Sequence, residues 1–130
     1  MKAALLETLG GLTVRELPDP VPGDYECLCE LLYGATCSGT DMHLISGRLN
    51  WAIDVAPSII GHESVGRVLE VGAKVRNFKV GDLISRVGAP GLEGSHTATW
   101  GGFATRGIAC DHVAMAEDGA GSGDTTNQLI

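Results

Sequence analysis

The sequence predicts a mainly β domain, a closed or partly open barrel of short strands with one or two short helices. Nineteen glycines in 130 residues fall between short runs rich in β-branched residues, which is typical of strands joined by tight turns. Residues 63–71 have a mostly apolar strand pattern, whereas residues 40–45 have the pattern of a helix. Strands at this spacing favour a barrel over alternating strand–helix–strand units.

Turn signals place the individual strands along the chain. Two strands flank the turn at Gly10 and Gly11. Pro18, Pro20 and Pro22 then form an extended connector, because proline has a fixed backbone angle and no N–H donor. The predicted strands span residues 2–7, 12–17, 25–33, 63–71, 82–87 and 103–113.

Composition and charge exclude several classes of function. The formal net charge is −7, with 9 Lys and Arg against 16 Asp and Glu, so a nucleic-acid partner is not expected. The sequence has no signal-peptide pattern and no apolar run of about 18 residues that would predict a membrane helix. Its four cysteines lack the density of a secreted disulfide scaffold, and Cys27, Cys29 and Cys110 are expected in the core. These features predict a cytoplasmic protein with reduced thiols.

Two segments carry the donor atoms of a candidate metal site. Cys37 and the adjacent pair His62 and Glu63 offer a thiolate, an imidazole and a carboxylate, which are donors that bind catalytic zinc. Adjacent residues of a regular strand point to opposite faces, so this pair can reach one ion only if the backbone bends. Gly61 supplies the freedom to bend, and Gly66 lets another segment come close.

Three polar residues near Cys37 extend the candidate site. Asp41 can accept a hydrogen bond from a ligand imidazole and hold it in one tautomer. Thr40 and His43 are three residues apart, so one helical turn would put their side chains on the same side. We interpret them as a relay that passes a proton from a metal-bound alcohol towards solvent. A simple N-cap role for Thr40 and a surface position for His43 remain open.

Around these residues the sequence resembles the N-terminal, GroES-like catalytic domain of the zinc-dependent medium-chain dehydrogenases. That group includes alcohol, sorbitol, threonine and glucose dehydrogenases. The similar segments follow the family order through residues 1–117. They are the proline connector at 18–23, the Thr40-Asp41-Met42-His43 segment, residues 57–63 and 66–72, Val80-Gly81-Asp82, and residues 101–104.

The resemblance implies one catalytic zinc ion bound by Cys37, His62 and Glu63. It also implies that Asp41 supports His62 and that Thr40 and His43 relay a proton. The zinc would act as a Lewis acid on an alcohol, polyol or sugar hydroxyl, and the hydride would pass to NAD or NADP. The full-length enzyme would include a Rossmann domain, and homo-oligomers are compatible with it.

Two features of the sequence depart from the usual family pattern. The ligand cysteine commonly stands two residues before the threonine, where this chain has Ser38. We favour Cys37, because a serine hydroxyl is a much poorer zinc donor than a thiolate. Residues 88–101 contain no cysteine, so the second, structural zinc of many relatives is not expected.

The end of the sequence lacks the pattern of a nucleotide-binding domain. Residues 119–123 read Gly-Ala-Gly-Ser-Gly, but they follow no apolar strand and open no helix, so we interpret them as a connector. We divide the chain into a GroES-like catalytic domain at 1–117 and a flexible linker or tail at 118–130, leading to a Rossmann domain that this chain lacks. The 130-residue chain alone is therefore expected to be inactive.

Two other classes of function stay open. A zinc-free relative that reduces quinones or enones would share the fold, but we would expect it to lack the His62-Glu63 pair in this form. A GroES-like binding module without catalysis would need none of the candidate site residues, because fold alone does not fix function. Metal content separates the zinc enzyme from the zinc-free reductase.

Overall fold

The computed structural model describes residues 1–48, 57–90, 101–121 and 127–130. The helices and strands of these residues are β1 (Lys2–Thr8), β2 (Gly11–Glu16), β3 (Glu26–Ala35), α1 (Thr40–Ile45), β4 (Ser58–Ile59), β5 (Glu63–Val71), β6 (Leu83–Ser85), β7 (Arg106–Cys110) and α2 (His112–Glu117). The predicted mainly β class is confirmed. Neither helix is long and apolar enough to cross a membrane.

The strands form two antiparallel sheets that meet along residues 103–105. One sheet has the order β2-β1-β4, and the other has the order β6-β5-β3-β7. The N–H of Ala4 in β1 donates to the Phe103 carbonyl at 2.8 Å, and the N–H of Leu31 in β3 donates to the Thr105 carbonyl at 3.2 Å. These bonds connect the sheets into the partly open barrel that the sequence predicts.

Three buried apolar clusters stabilise this arrangement. Burial of such side chains contributes roughly 25 cal/mol for each Å² removed from water. One of them, formed by Leu6, Leu44 and Ile60, packs α1 against β1 and the segment that leads into β5. The clusters consist of Cys27, Cys29, Val68, Ile84, Val87 and Ala109; of Leu6, Leu44 and Ile60; and of Ala3, Leu5, Ile59 and Ala89.

Two of the predicted core cysteines are fully buried in β3. Cys27 and Cys29 lie two residues apart and have no exposed surface. Burial raises the pKa of each thiol to about 12, so both stay protonated and behave as small apolar side chains. Cys110 is only partly buried, and all four cysteines are free thiols.

The predicted strand at 103–113 is wrong at its C-terminal end, because Asp111 starts a helix. β7 ends at Cys110, and the Asp111 carboxylate caps α2 by accepting the Ala114 N–H at 3.0 Å. The same carboxylate accepts the backbone N–H groups of Arg76 at 2.8 Å and Asn77 at 2.9 Å, and the Asn77 amide at 2.9 Å. These partners lie 34 and 35 residues away, so no local pattern indicates them.

Part of the predicted linker pairs with the barrel. The Ser85 N–H donates to the Gln128 carbonyl at 2.8 Å, and the Ile130 N–H donates to the Leu83 carbonyl at 3.0 Å. Residues 127–130 thus lie along the edge of β6. Division of the chain after residue 117 stays a prediction.

We expect replacement of Asp111 by alanine to lower the free energy of unfolding by about 3 kcal/mol, because buried N–H donors lose their acceptor. Only 1% of the Asp111 surface is exposed. Urea denaturation at pH 7 measures this loss. Glu70→Ala, at an exposed position of β5, is the control and should change stability by less than about 0.5 kcal/mol.

The stability of wild type and Asp111→Ala, compared as a function of pH, tests the charge of the Asp111 carboxylate. Burial raises the pKa of Asp111, but hydrogen bonds from Arg76, Ala114 and Asn77 outweigh it and leave the pKa below its ordinary value. The carboxylate therefore adds stability above the unfolded-state pKa of about 3.9, and that stability is lost as the pH falls through the lower folded-state pKa. The stability gap between wild type and Asp111→Ala should narrow with acid. A gap that widens would contradict this role.

Candidate metal centre

The loop before α1 is fixed by two hydrogen bonds between Cys37 and Asp41. The Cys37 N–H donates to Asp41 Oδ2 at 2.9 Å, and the Asp41 N–H donates to the Cys37 carbonyl at 3.1 Å. Asp41 is fully buried, although it lies in the first turn of a six-residue helix. The buried carboxylate therefore sets the position of Cys37 relative to the helix.

The Cys37 thiol lies at the start of α1 and accepts hydrogen bonds there. The Thr40 N–H points to Cys37 Sγ at an N–S distance of 3.4 Å. Bonds from the Thr40 N–H, the Thr40 hydroxyl and the Gly39 N–H lower the pKa of Cys37. Since the thiolate is the form that binds metals, this loop favours a ligand role for Cys37. The same effect distinguishes Cys37 from Cys27 and Cys29.

A backbone bend at Gly61 precedes the His62-Glu63 pair. Gly61 has a φ of 96°, a conformation that residues with a side chain rarely adopt. The Gly61 carbonyl accepts the Gly102 N–H at 2.8 Å, and a Cβ at Gly61 would lie 2.6 Å from the Phe103 ring. The bend that the sequence predicts at Gly61 is present, and β5 begins only at Glu63.

The close approach of another segment that the sequence predicts at Gly66 is also present. A Cβ at Gly66 would lie 2.9 Å from the Val87 side chain and 3.0 Å from the Glu30 carbonyl. Gly66 thereby lets β5 lie directly against β3 on one side and against the segment that follows β6 on the other. This close packing fixes where the first residues of β5 lie.

The structure brings the three predicted metal ligands together. One donor atom each from Cys37, His62 and Glu63 lies within 4.8 Å of the other two. A zinc ion binds such donors at about 2.0–2.3 Å in a tetrahedral arrangement, so two ligands of one ion are about 3.5 Å apart. His62 Nε2 and Glu63 Oε1 are already 3.9 Å apart, and side-chain movements of about 1 Å would bring the three donors to this spacing. The donor set and its spacing fit a zinc ion.

The two nitrogens of His62 face different carboxylates. His62 Nδ1 lies 3.4 Å from Asp41 Oδ1, and Nε2 lies 3.9 Å from Glu63 Oε1. The first distance exceeds the usual 2.7–3.2 Å of a hydrogen bond but needs only a small shift to become one. Asp41 therefore lies where a carboxylate that orients a ligand histidine belongs.

The two predicted relay residues have different surroundings. Thr40 is partly buried at the first position of α1, with its hydroxyl bonded to Cys37. His43 is exposed on the same helix, and its side chain makes no hydrogen bond or ion pair within the described part of the chain. The relay role of both residues stays a prediction.

A cleft of about 600 Å³ opens beside the cluster of donor atoms. Its walls are the last residues of β3, the first residues of β5, and the end of β6. His62 and Glu63 line it, together with Tyr33, Ser85 and Arg86. A small ligand in this cleft would contact the candidate metal ligands directly.

Sequence reasoning missed the cleft residues that lie outside the motifs. Arg86 falls inside the predicted strand 82–87, and its positive φ of 58° has no local sequence signal, because glycine or asparagine is the usual residue there. Asn127, which holds the Arg86 backbone, falls in the predicted flexible tail. Residues 91–100, where the absence of a structural zinc was expected, lie outside the described residues.

A barrel of this topology with a thiolate, imidazole and carboxylate at one edge defines a GroES-like domain with a candidate metal centre. The chain belongs to the family described as the alcohol dehydrogenase GroES-like domain, whose profile matches residues 23–121. It is thereby a member of the medium-chain dehydrogenases.

Individual proteins support the same family. The chain is 40% identical over 80 residues to an L-threonine 3-dehydrogenase of Saccharopolyspora erythraea, a match that covers 60% of this chain and 23% of that protein. An alcohol dehydrogenase superfamily protein from Novosphingobium aromaticivorans superposes with a TM-score of 0.70 at 26% identity, over 86% of this chain and 32% of the other.

A third similar protein was solved with a nucleotide. It is described as a zinc-binding dehydrogenase from Sinorhizobium meliloti bound to NADP, with a TM-score of 0.67 and 26% identity. The superposition covers 88% of this chain and 41% of that chain. The present chain thus spans less than half the length of each of these three proteins.

We expect Gly61→Ala to destabilise the protein more than Gly81→Ala. Both glycines have similar positive φ values, 96° and 93°, but a Cβ at Gly81 meets nothing within 4 Å. The difference in unfolding free energy should be at least about 1 kcal/mol, the cost of overpacking against Phe103. Zinc affinity should fall only in Gly61→Ala. Equal behaviour of the two variants would contradict the proposed role of the bend.

Proposed function

We propose that this chain is the catalytic domain of a zinc-dependent dehydrogenase that transfers a hydride between an alcohol and a nicotinamide cofactor. The observation that carries the proposal is the convergence of Cys37, His62 and Glu63, two segments of the chain contributing donors to one cluster. Bound there, zinc would supply Lewis acidity towards the alcohol oxygen.

The residues around the cluster support this chemistry. Hydrogen bonds from the Thr40 and Gly39 N–H groups favour the Cys37 thiolate. Asp41 orients His62 through Nδ1, so that Nε2 is directed towards Glu63 and the cleft. The pair of carboxylates thus fixes the imidazole, and Cys37 contributes negative charge to the cation.

Proton transfer is the second task of the domain. We propose that Thr40 accepts the proton of the substrate hydroxyl while it gives its own hydroxyl proton to His43, since Thr40 starts α1 beside Cys37. His43 would pass the proton to solvent from the exposed side of the same helix. A hydroxyl and an imidazole on one helical turn are suited to this relay.

The remaining parts of the enzyme are proposed from the relatives. The substrate would be a small alcohol, polyol or sugar, in keeping with the threonine dehydrogenase that shares 40% identity. NAD or NADP would bind a Rossmann domain outside the present chain, as the NADP complex of the S. meliloti protein suggests. The clustered donors favour this enzyme over a zinc-free reductase and over a binding module, neither of which needs them.

Cobalt binding tests the proposal directly. Cobalt(II) replaces zinc in thiolate and imidazole sites and gives a near-ultraviolet thiolate charge-transfer band. We expect one equivalent of Co(II) to produce this band in the 130-residue chain, and Zn(II) to displace it. Cys37→Ser should abolish the band, and His62→Ala should weaken metal binding at least about 100-fold.

Ser38→Ala is the matched control for the cysteine assignment. Ser38 is exposed next to Cys37 and stands two residues before Thr40, where the usual family pattern has its ligand cysteine. We expect Ser38→Ala to keep the band and the affinity of the wild type. Absence of the band in the wild-type chain, or its persistence in Cys37→Ser, would contradict the metal site.

Catalysis is expected to require more than this domain. We expect no hydride transfer when the zinc-loaded 130-residue chain is mixed with NAD or NADP and a panel of alcohols, because the nicotinamide site is proposed to lie in a separate Rossmann domain. Absorbance of the reduced cofactor measures this. Turnover well above the rate of a Cys37→Ser control would contradict the proposal that the nicotinamide binds a separate domain.

A further inference from the structure

Arg86 has an unusual backbone conformation at the edge of the cleft. Its φ is 58°, and it is the single non-glycine residue of the described part of the chain with a positive φ. Residues other than glycine, asparagine and aspartate rarely adopt this backbone conformation, because it costs energy. Strain of this kind is frequently located at functional sites.

Hydrogen bonds on both sides hold Arg86 in this conformation. The Arg86 N–H donates to the Ser64 carbonyl at 2.7 Å, and the Arg86 carbonyl accepts the Asn127 amide at 2.9 Å. Asn127 also donates to the Ser85 carbonyl at 3.2 Å and accepts the Cys110 N–H at 3.0 Å. The barrel therefore fixes the backbone of Arg86 firmly enough to offset the strain.

Arg86 is one of three arginines whose side chains form no ion pair with the described residues, and it lines the cleft, whereas the other two, Arg48 and Arg106, do not. Arg15, Arg67 and Arg76 each form an ion pair with a carboxylate. The Arg86 guanidinium forms none with the described residues, although it is exposed at a cleft in an acidic protein with a net charge of −7. Because its guanidinium has no anionic partner among the described residues, Arg86 is available to an external anion.

The cleft separates this cation from the candidate metal ligands. Arg86 and the pair His62 and Glu63 line the same cavity of about 600 Å³. Glu63 is the one carboxylate among its lining residues, and it belongs to the donor cluster. The other lining side chains, such as Tyr33, Ser64 and Ser85, carry no charge at neutral pH.

We propose that Arg86 binds the anionic group of the substrate, a carboxylate or phosphate carried by the alcohol, while the hydroxyl lies at the Cys37, His62 and Glu63 cluster. This inference rests on the proposed function and names its substrate class. The planar guanidinium donates two parallel hydrogen bonds to either anion, which lysine cannot do. Arg86 would then select anionic alcohols over neutral ones.

The test uses the Nε–H resonance of Arg86 in the ¹⁵N-labelled 130-residue chain, identified by its loss in Arg86→Lys. Ligands are 3-hydroxybutyrate, glycerol 3-phosphate and their neutral counterparts 1,3-butanediol and glycerol. We expect saturable shifts of Arg86 with the anions and none with the diol or glycerol. Arg86→Gln should weaken anion binding, followed on the Glu63 amide, about tenfold. A larger response to 3-hydroxybutyrate identifies the substrate class as hydroxy acids. A larger response to glycerol 3-phosphate identifies it as phosphorylated alcohols.

Two further variants separate recognition from folding. Arg67→Gln, at an exposed arginine of β5 outside the cleft, should leave the anion response unchanged. Arg86→Gly relieves the positive φ, so its urea midpoint should equal or exceed that of the wild type while the anion response is lost. Equal shifts of Arg86 and Arg67 with the anions, or unchanged affinity in Arg86→Gln, would overturn the proposal.

Running each titration with and without zinc distinguishes the two proposals. An Arg86 response in a chain that fails to bind zinc supports the anion site and contradicts the metal site. Zinc binding without a selective Arg86 response overturns the substrate class alone. With both sites present, we expect the anion affinity to rise at least threefold in the zinc-loaded chain for hydroxyl-bearing anions, since one ligand then engages both groups.

Discussion

The candidate centre depends on one backbone bend, at Gly61. A regular strand would direct His62 and Glu63 to opposite faces, and only one of them could approach Cys37. The positive φ of Gly61 turns the chain just before β5 begins, and the Phe103 ring leaves no room for a Cβ at this position. The hydrogen bond from Gly102 to the Gly61 carbonyl, at 2.8 Å, ties this turn to the segment that joins the two sheets. The geometry of the donors is therefore a property of the barrel and not of a loose loop.

Asp41 links the two segments that the bend brings together. One of its oxygens accepts the Cys37 N–H at 2.9 Å, and the other lies 3.4 Å from His62 Nδ1. A buried carboxylate is costly unless such partners compensate it, so its position in a six-residue helix requires an explanation beyond helix stability. We propose that its role is to hold the thiol loop and the imidazole in register. Cation binding at the cluster would add a further compensating charge.

Sequence patterns predicted correctly those features of the structure that interactions between neighbouring residues determine. The strand at 63–71 and the helix at 40–45 have the bounds that the sequence indicates, because apolar periodicity and turn residues set them. The donors Cys37, His62 and Glu63 were predicted from residue chemistry and from the flanking Gly61. Features set by distant partners were missed: the Asp111 cap receives bonds from residues 76 and 77, and the conformation of Arg86 depends on Asn127. No sequence window contains both members of these pairs.

The central claim is that a thiolate and an imidazole from separate segments share one metal ion. Anomalous diffraction at the zinc absorption edge, from crystals of the chain grown with zinc, tests it most directly. We expect one strong peak within bonding distance, about 2.0–2.3 Å, of both Cys37 Sγ and His62 Nε2. A peak at Ser38 and not at Cys37, or no peak near either donor with the two side chains pointing apart, would contradict the claim.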